Sequence, residues 1–248
     1  MSTTIKHYFK RIFTMPINLL IFILLPVGIS LVNNMIMVIE PVIQEDVGNL
    51  AGITATIISV VIIVMFAFFG SALVYDLLFD DFKSPRRWRL LAAPTSLGKY
   101  VMANIIICTV FSLITSALIF VANVFIFDAF VPNLLVMGAA LFLFTVFAQL
   151  LGMFIFLIAP KKGVAEAIVQ GIVWSTSLLA GNMMGGINLG RFGNFIFQRA
   201  TPNAIAMQAM FDNIFGDTRA AMTQIGYLGI YVVVMAIVVA ITARRRSI

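Results

Sequence analysis

Six long stretches without a charged residue divide this chain, and they constrain its fold more than any other feature. They run 12–39, 47–75, 100–127, 129–160, 167–190 and 220–243. A helix that crosses a bilayer needs roughly 20 consecutive residues without an unpaired charge. The stretches are rich in Val, Ile, Leu, Phe and Met and show no two-residue alternation, so they predict helices rather than the strands of a membrane barrel.

The composition fits a chain that folds in the bilayer. Hydrophobic residues make up 62% of the 248 residues and charged residues only 10%, whereas soluble domains carry about 25% charged residues. The first apolar stretch is longer than the core of a cleavable signal peptide, so we expect it to remain as a span. We predict an all-α membrane protein with one transmembrane domain and six spans, at 16–39, 53–78, 99–127, 133–159, 164–186 and 221–243.

The distribution of Lys and Arg predicts the orientation of these spans. With the N-terminus in the cytoplasm, only three of the 16 basic residues face outward, namely Arg191, Arg199 and Arg219. This is the bias that orients membrane proteins. We therefore expect a multi-pass protein of the cell membrane with both termini cytoplasmic. The net charge of +6 is explained by anionic lipid headgroups, so no nucleic-acid partner is needed.

Two segments outside the spans are predicted to lie at the membrane surface. Residues 3–14 combine apolar side chains at helical spacing with Lys6, Lys10 and Arg11, which is typical of an interfacial helix. Residues 187–219 are too polar to span and too apolar for a free loop, so they predict one or two re-entrant helices in the outer leaflet. Charged side chains there would serve as a gate or only as interfacial anchors.

The segment between the second and third spans is the most informative part of the sequence. Ser84 can cap a helix that begins at Pro85, and Pro94 would end that helix. Trp88 and Leu91 share one face of it, with arginines on either side. Because Trp and Arg dominate interface energetics, residues 84–94 are well suited to dock on a partner, although composition alone favours a simpler role. The alternative is a loop whose arginines only hold the topology.

In the order and spacing of these features, the chain resembles the type-2 permease family of ATP-binding-cassette exporters. The similar features are the interfacial helix, the six spans, the loop helix ending in Leu-Leu-x-x-Pro, the glycine-rich stretch 179–186 and a helix begun at Pro202. One feature departs from the family. The loop reads Asp80-Asp81-Phe82-Lys83 before Ser84, without the acid–Arg pair followed by Gly-Thr that family members usually carry.

The resemblance implies a cytoplasmic ATP-binding subunit that docks on this loop, which would act as a coupling helix. The residues expected to contact that subunit are Asp80, Asp81, Lys83, Arg86, Arg87, Trp88, Leu91 and Pro94. The chain has no G-x-x-x-x-G-K-[ST] phosphate loop, so ATP and Mg are expected on the partner, and no cofactor or metal on this chain. A second permease copy or homologue is the other expected partner. The chain is thus expected to be a transport subunit and not an enzyme.

Polar residues in and beside the spans are candidates for a substrate path or gate. The candidates are Gln170, Ser177, Asn182, Arg191 and Pro202. Amides inside spans more often serve as contacts between helices than as ligand groups, and we expect that role for the amides of these spans in general, among them Asn33, Asn34, Asn104 and Asn123. The cargo expected from short outer loops and an apolar interior is amphipathic or hydrophobic, such as an antimicrobial peptide, a drug or a lipid-like molecule.

Other functions remain as alternatives at this point. One is export of a polysaccharide or lipid-linked glycan. An ion-coupled secondary transporter or channel would place ionisable residues at the bilayer midplane, where these spans have essentially none. An intramembrane enzyme would need a nucleophile–base set or metal ligands. The chain offers one histidine, His7, and one cysteine, Cys108, which we expect to be a core residue.

Overall fold

A computed structural model describes residues 8–12, 19–42, 48–83, 88, 97–131, 133–179, 190–196 and 200–245. Every regular element in these ranges is helical, which confirms an all-α fold for this part of the chain. A π-helical turn, Leu20–Leu24, leads into the second helix. The helices are α1 (8–12), α2 (Leu25–Val42), α3 (Gly48–Phe69), α4 (Ser71–Phe82), α5 (Leu97–Phe127), α6 (Leu134–Ile158), α7 (Lys162–Leu179), α8 (Gly190–Phe195), α9 (Pro202–Ile214) and α10 (Thr218–Arg245).

Among the described residues, four helical segments are long and apolar enough to cross a membrane. They are Gly52–Phe82, which combines α3 with α4, Gly98–Phe127, Leu134–Ile158 and Thr218–Arg245. A shorter apolar helix runs Leu20–Ile36. These segments fit a membrane-embedded protein. The count of six spans stays a prediction, because the predicted first and fifth spans are not among these four segments.

Helix α6 is the centre of the bundle. It contacts α3, α4, α5, α7, α9 and α10, and Phe144 and Ala148 on it are fully buried. Cys108 of α5 is also fully buried, as expected of a core residue. In contrast, α10 leaves large apolar side chains such as Val233 and Ile237 exposed. An apolar surface of this kind is stable in contact with lipid.

Two glycines let the backbones of the central helices approach closely. A Cβ atom at Gly152 of α6 would collide with the backbone carbonyl of Ser71, where α4 begins. A Cβ atom at Gly70 would collide with the hydroxyl of Ser112 on α5. Small residues at such crossings are the usual means of close helix packing in membranes. These contacts fix α4, whose far end leads into the predicted coupling segment.

Neutral polar side chains connect α2, α3 and α5 inside the bundle. The Asn34 amide donates to Asn123 Oδ1 at 2.5 Å and to Ser59 Oγ at 3.4 Å. The Asn123 amide in turn donates to Ser30 Oγ at 2.7 Å. We call these four residues the Asn34–Asn123 cluster. Its geometry confirms the expectation that these amides act as contacts between helices.

The segment before the last helix contains α8 and α9. Thr201 caps α9 by accepting a hydrogen bond from the amide of Ala204 at 3.3 Å, and Pro202 is its first residue. Proline is favoured there because its missing N–H would have no partner within the helix. Helix α9 packs against α3, α6 and α10. Whether this segment re-enters the outer leaflet stays a prediction.

Candidate functional site

The end of α4 holds the most highly connected charged group of the described chain. Asp81 Oδ1 accepts from Arg11 Nη1 at 2.7 Å. Asp81 Oδ2 accepts from the hydroxyls of Tyr8 and Tyr100, both at 2.9 Å. Arg11 Nη2 also donates to Asp80 Oδ2 at 3.0 Å. We call these five residues the Asp81 network.

The Asp81 network places two opposite charges out of contact with water. The side chains of Arg11 and Asp81 are only 9% and 5% exposed. A buried ion costs several kcal/mol unless a partner and further hydrogen bonds satisfy it. Here one guanidinium and two phenols supply those partners. Burial and the charge of Asp81 raise the pKa of Tyr8, so its hydroxyl stays protonated and continues to donate.

The network joins parts of the chain that are distant in sequence. Tyr8 and Arg11 lie on α1, Asp80 and Asp81 end α4, and Tyr100 lies in the first turns of α5. The rings of Tyr8 and Tyr100 also contact each other, with their centroids 5.0 Å apart. As a result, α1 and both helices that flank residues 84–96 are held together.

Two lysines extend these connections to the turn between α6 and α7. Lys83 Nζ donates to the carbonyl oxygens of Ala159 and Pro160 at 2.8 and 3.2 Å. Lys162 Nζ lies 3.2 Å from Asp76 Oδ1 and 4.0 Å from Asp80 Oδ1. The last turn of α4 is therefore attached on one side to α1 and α5, and on the other to the start of α7.

Some of the residues predicted to contact the ATP-binding subunit make contacts within this chain. Asp81, predicted to contact a partner protein, is buried and binds within this chain. Lys83 binds carbonyls of the α6–α7 turn but remains exposed, so its contact with a partner stays a prediction. The reason is tertiary: α1 and the α6–α7 turn supply opposite charge and carbonyls at the end of α4. Asp80 binds Arg11 yet remains about half exposed. It is the predicted acid that a partner could still reach.

Trp88 is the one described residue between 84 and 96, and its side chain is 75% exposed. An indole left so open is available to a partner. The predicted coupling residues Arg86, Arg87, Leu91 and Pro94 lie outside the described residues.

The predicted path residues are not gathered into one site. Gln170 of α7 lines a cavity, whereas Ser177, two helical turns further along α7, is fully buried and is not among the residues that line it. Arg191 of α8 is exposed, and Pro202 serves as the first residue of α9. Asn182 lies outside the described residues.

The cavity has a volume of about 580 Å³ and lies between the first apolar helix, the α3–α4 junction and α7. Its polar side chains are grouped, since Asp76, Lys162 and Glu166 all belong to it. Aromatic and aliphatic side chains share the rest of its wall. The aromatic residues are Phe22, Phe66, Phe69, Tyr75 and Trp174, and the aliphatic ones are Ile21, Leu25, Ile29, Met65 and Ala72.

Tyr8, Tyr100 and the internal role of Arg11 were not predicted from the sequence. One signal was present: a pair of adjacent acids at the end of a span and an arginine in a segment predicted to lie at the same membrane surface. Opposite charges at one depth predict a pair. Nothing in the spacing, however, showed that two tyrosines would complete it.

Within the described ranges, no group of three or more His, Cys, Asp or Glu side chains is placed to hold a metal ion. No family model matches the chain, and neither a curated protein nor a solved structure matches it.

Proposed function

We propose that this chain is the membrane-spanning subunit of an exporter driven by a separate ATP-binding subunit. The proposal assigns residues 80–94 to the cytoplasmic surface, where the ATPase would dock. The observation that carries it is the Asp81 network, which fixes both ends of the 84–96 segment to the bundle.

Such fixation is what a coupling element requires. A flexible loop would absorb the movement of a docked partner, because each of its residues can change conformation at low cost. Here Asp80 and Asp81 precede the segment and Tyr100 follows it, and all three belong to one hydrogen-bonded group. A displacement of the segment would therefore be passed to α4 and α5 as a unit.

The links from α4 to α7 support the same proposal. Lys83 and Lys162 connect the end of α4 to the start of α7, which borders the cavity. In this proposal, closure of the ATPases on ATP pulls residues 80–94, and the pull reaches α7 through these contacts. The proposed cargo is an amphipathic or hydrophobic molecule that leaves through a path shared with a second permease.

Recovery of the partner tests the proposal directly. The affinity-tagged chain, solubilised from the cells that produce it, is expected to bring down an ATPase, detected as ATP hydrolysis in the eluate. The double variant Arg87→Ala, Trp88→Ala should lose this activity, because it removes the exposed indole and a neighbouring cation.

Trp174→Ala is the matched control, since it removes the only other tryptophan and leaves residues 80–94 intact. It should retain the copurified ATPase. ATP hydrolysis by the purified chain alone, or cargo transport that continues without ATP, would contradict the proposal.

A further inference from the structure

The side chains of α7 that line the cavity change from charged to aromatic along the helix. Lys162, Glu166, Gln170 and Trp174 line it at intervals of four residues, so they form one stripe along α7. At 1.5 Å per residue this stripe is about 18 Å long. It begins with two charged groups, continues with an amide and ends with an indole. The Trp174 Nε1–H donates to Gln170 Oε1 at 3.0 Å, which orients the ring.

The opposite wall repeats this gradient. Asp76 lies at the charged end, and Phe69 lies two turns deeper, where its ring meets that of Trp174 edge to face with centroids 6.0 Å apart. Phe66 contacts Phe69, with ring centroids 5.8 Å apart, and Phe22 also lines the cavity. An occupant would therefore find charge at one end and aromatic rings at the other.

The sign of the charged end follows from its ion pairs. Lys162 is occupied, because it lies 3.2 Å from Asp76 and 4.0 Å from Asp80. Glu166 is exposed, and none of the ion pairs found in the described part of the chain includes it. The lining therefore carries two carboxylates against one ammonium. A cation is the charge that this end would bind.

We infer that the cavity is a binding site for a single-tailed organic cation, whose charged head lies at Glu166 and whose apolar tail lies against Phe22, Phe66, Phe69 and Trp174. A volume of about 580 Å³ holds a small amphipathic molecule, within the range of roughly 300–1,000 Å³ typical of ligand pockets. As a statement about cargo, this inference rests on the proposed export function; as a statement about binding, it stands alone.

Tryptophan fluorescence gives a direct test. The chain has two tryptophans, so Trp88→Phe leaves Trp174 as the single indole, inside the cavity wall. The purified variant in phosphatidylcholine vesicles is titrated with ω-bromododecyltrimethylammonium, whose bromine quenches indole emission. We expect saturable quenching by this cation. The sulfate with the same brominated chain should show only the linear quenching of a molecule that partitions into lipid.

Two further variants separate the head from the tail. Glu166→Gln should raise the half-saturating concentration of the cation about five- to tenfold, because it removes one charge contact. Ala72→Leu fills space in the lining and should abolish saturable quenching by the cation, although every charged group of the cavity is retained.

Asp128→Asn is the matched control for the lost charge. Asp128 is exposed, does not line the cavity and has a φ of 53°, a conformation that asparagine tolerates. It should leave the titration unchanged.

Quenching that is linear, or equal for the cation and the sulfate, or unchanged by Glu166→Gln would overturn the inference. Quenching of Trp174 that depends only on protein concentration would also overturn the inference, because a second copy of the chain would then cover the cavity. Saturable binding without ATP-driven transport would contradict the proposed export function and leave this site in place.

Discussion

Two polar groups of this bundle differ in the charge that they carry. The Asp81 network at the end of α4 contains a buried guanidinium and a buried carboxylate. The Asn34–Asn123 cluster between α2, α3 and α5 contains only amides and hydroxyls. Both groups join three helices, so they perform the same structural task with different chemistry.

The two groups differ in the free energy at stake when a contact between helices is lost. A span interior tolerates neutral hydrogen bonds, which contribute about 0.6–1.7 kcal/mol per pair in a membrane. A buried charge demands complete satisfaction, and losing one partner costs about 3–5 kcal/mol. Loss of a contact therefore destabilises the charged group more than the neutral one. The charged group also lies next to the segment on which the ATPase is proposed to dock.

The largest expected effect comes from removing the central acid. Asp81→Ala removes the carboxylate that lies 2.7 Å from Arg11 and accepts hydrogen bonds from the hydroxyls of Tyr8 and Tyr100. We expect the free energy of unfolding, measured by detergent titration, to fall by about 3–5 kcal/mol. Asp80→Ala is the control, because Asp80 is about half exposed, and it should cost less than about 1 kcal/mol. Equal losses in the two variants would mean that Asp81 is not buried as described.

The next largest effect tests whether the tyrosines are part of the network. Tyr8→Phe removes one hydroxyl donor to a charged acceptor. A hydrogen bond to a charged group is worth about 1.5–3 kcal/mol, and we expect a loss of that size by the same titration. Tyr227→Phe is the matched control, since Tyr227 is 51% exposed on α10. A Tyr8 variant as stable as the control would mean that the Tyr8 hydroxyl contributes nothing to the network.

A double-mutant cycle measures the strength of the neutral contacts in the Asn34–Asn123 cluster. Asn34→Ala and Asn123→Ala are expected to show a coupling energy of about 0.6–1.7 kcal/mol. The matched cycle replaces Asn34 by its neighbour Asn33, whose amide donates to Ile29 O in its own helix, and should show no coupling with Asn123. A coupling energy larger than the cost of Asp81→Ala would reverse the ranking of the two groups.

The smallest effect concerns the exposed branch at Lys162. Lys162→Met breaks the pair with Asp76, in which both side chains are close to half exposed. Exposed pairs contribute about 0–1 kcal/mol and are weakened by salt. We therefore expect the variant to have a slightly lower Tm than the wild type at low salt, and the same Tm at high salt. Lys161→Met removes the neighbouring cation and should show no such salt dependence; the same response in both would indicate a general charge effect.

The helical architecture was predictable because it depends on local properties. The predicted span 99–127 lies on the helix Leu97–Phe127, and the predicted span 133–159 lies on Leu134–Ile158. Uncharged length alone determines these elements. The Pro202 start of α9 was equally local, since Thr201 and Pro202 are adjacent signals of a helix N-terminus.

The Asp81 network was not predictable in the same way. Tyr8 and Asp81 are 73 positions apart, and only the packing of α1 against α4 and α5 brings them together. Likewise, Gly152 is one of many glycines in the sequence, and its closeness to Ser71 emerges only from the crossing of α4 and α6. The predicted span ends at residue 78 and leaves Asp80 and Asp81 in the docking segment, whereas α4 continues to Phe82. The partners that hold Asp81 inside the bundle are too distant in the chain to be inferred from spacing.

Site-directed labelling tests the central claim most directly. Ser84→Cys in a Cys108→Ser background places one thiol in the proposed docking segment, because Cys108 is the only cysteine of the chain. We predict that a membrane-impermeant maleimide labels it from the side of the N-terminus, that the copurified ATPase slows this labelling, and that Trp88→Ala restores the fast rate. Labelling from the opposite side of the membrane, or a rate that the ATPase leaves unchanged, would contradict the account.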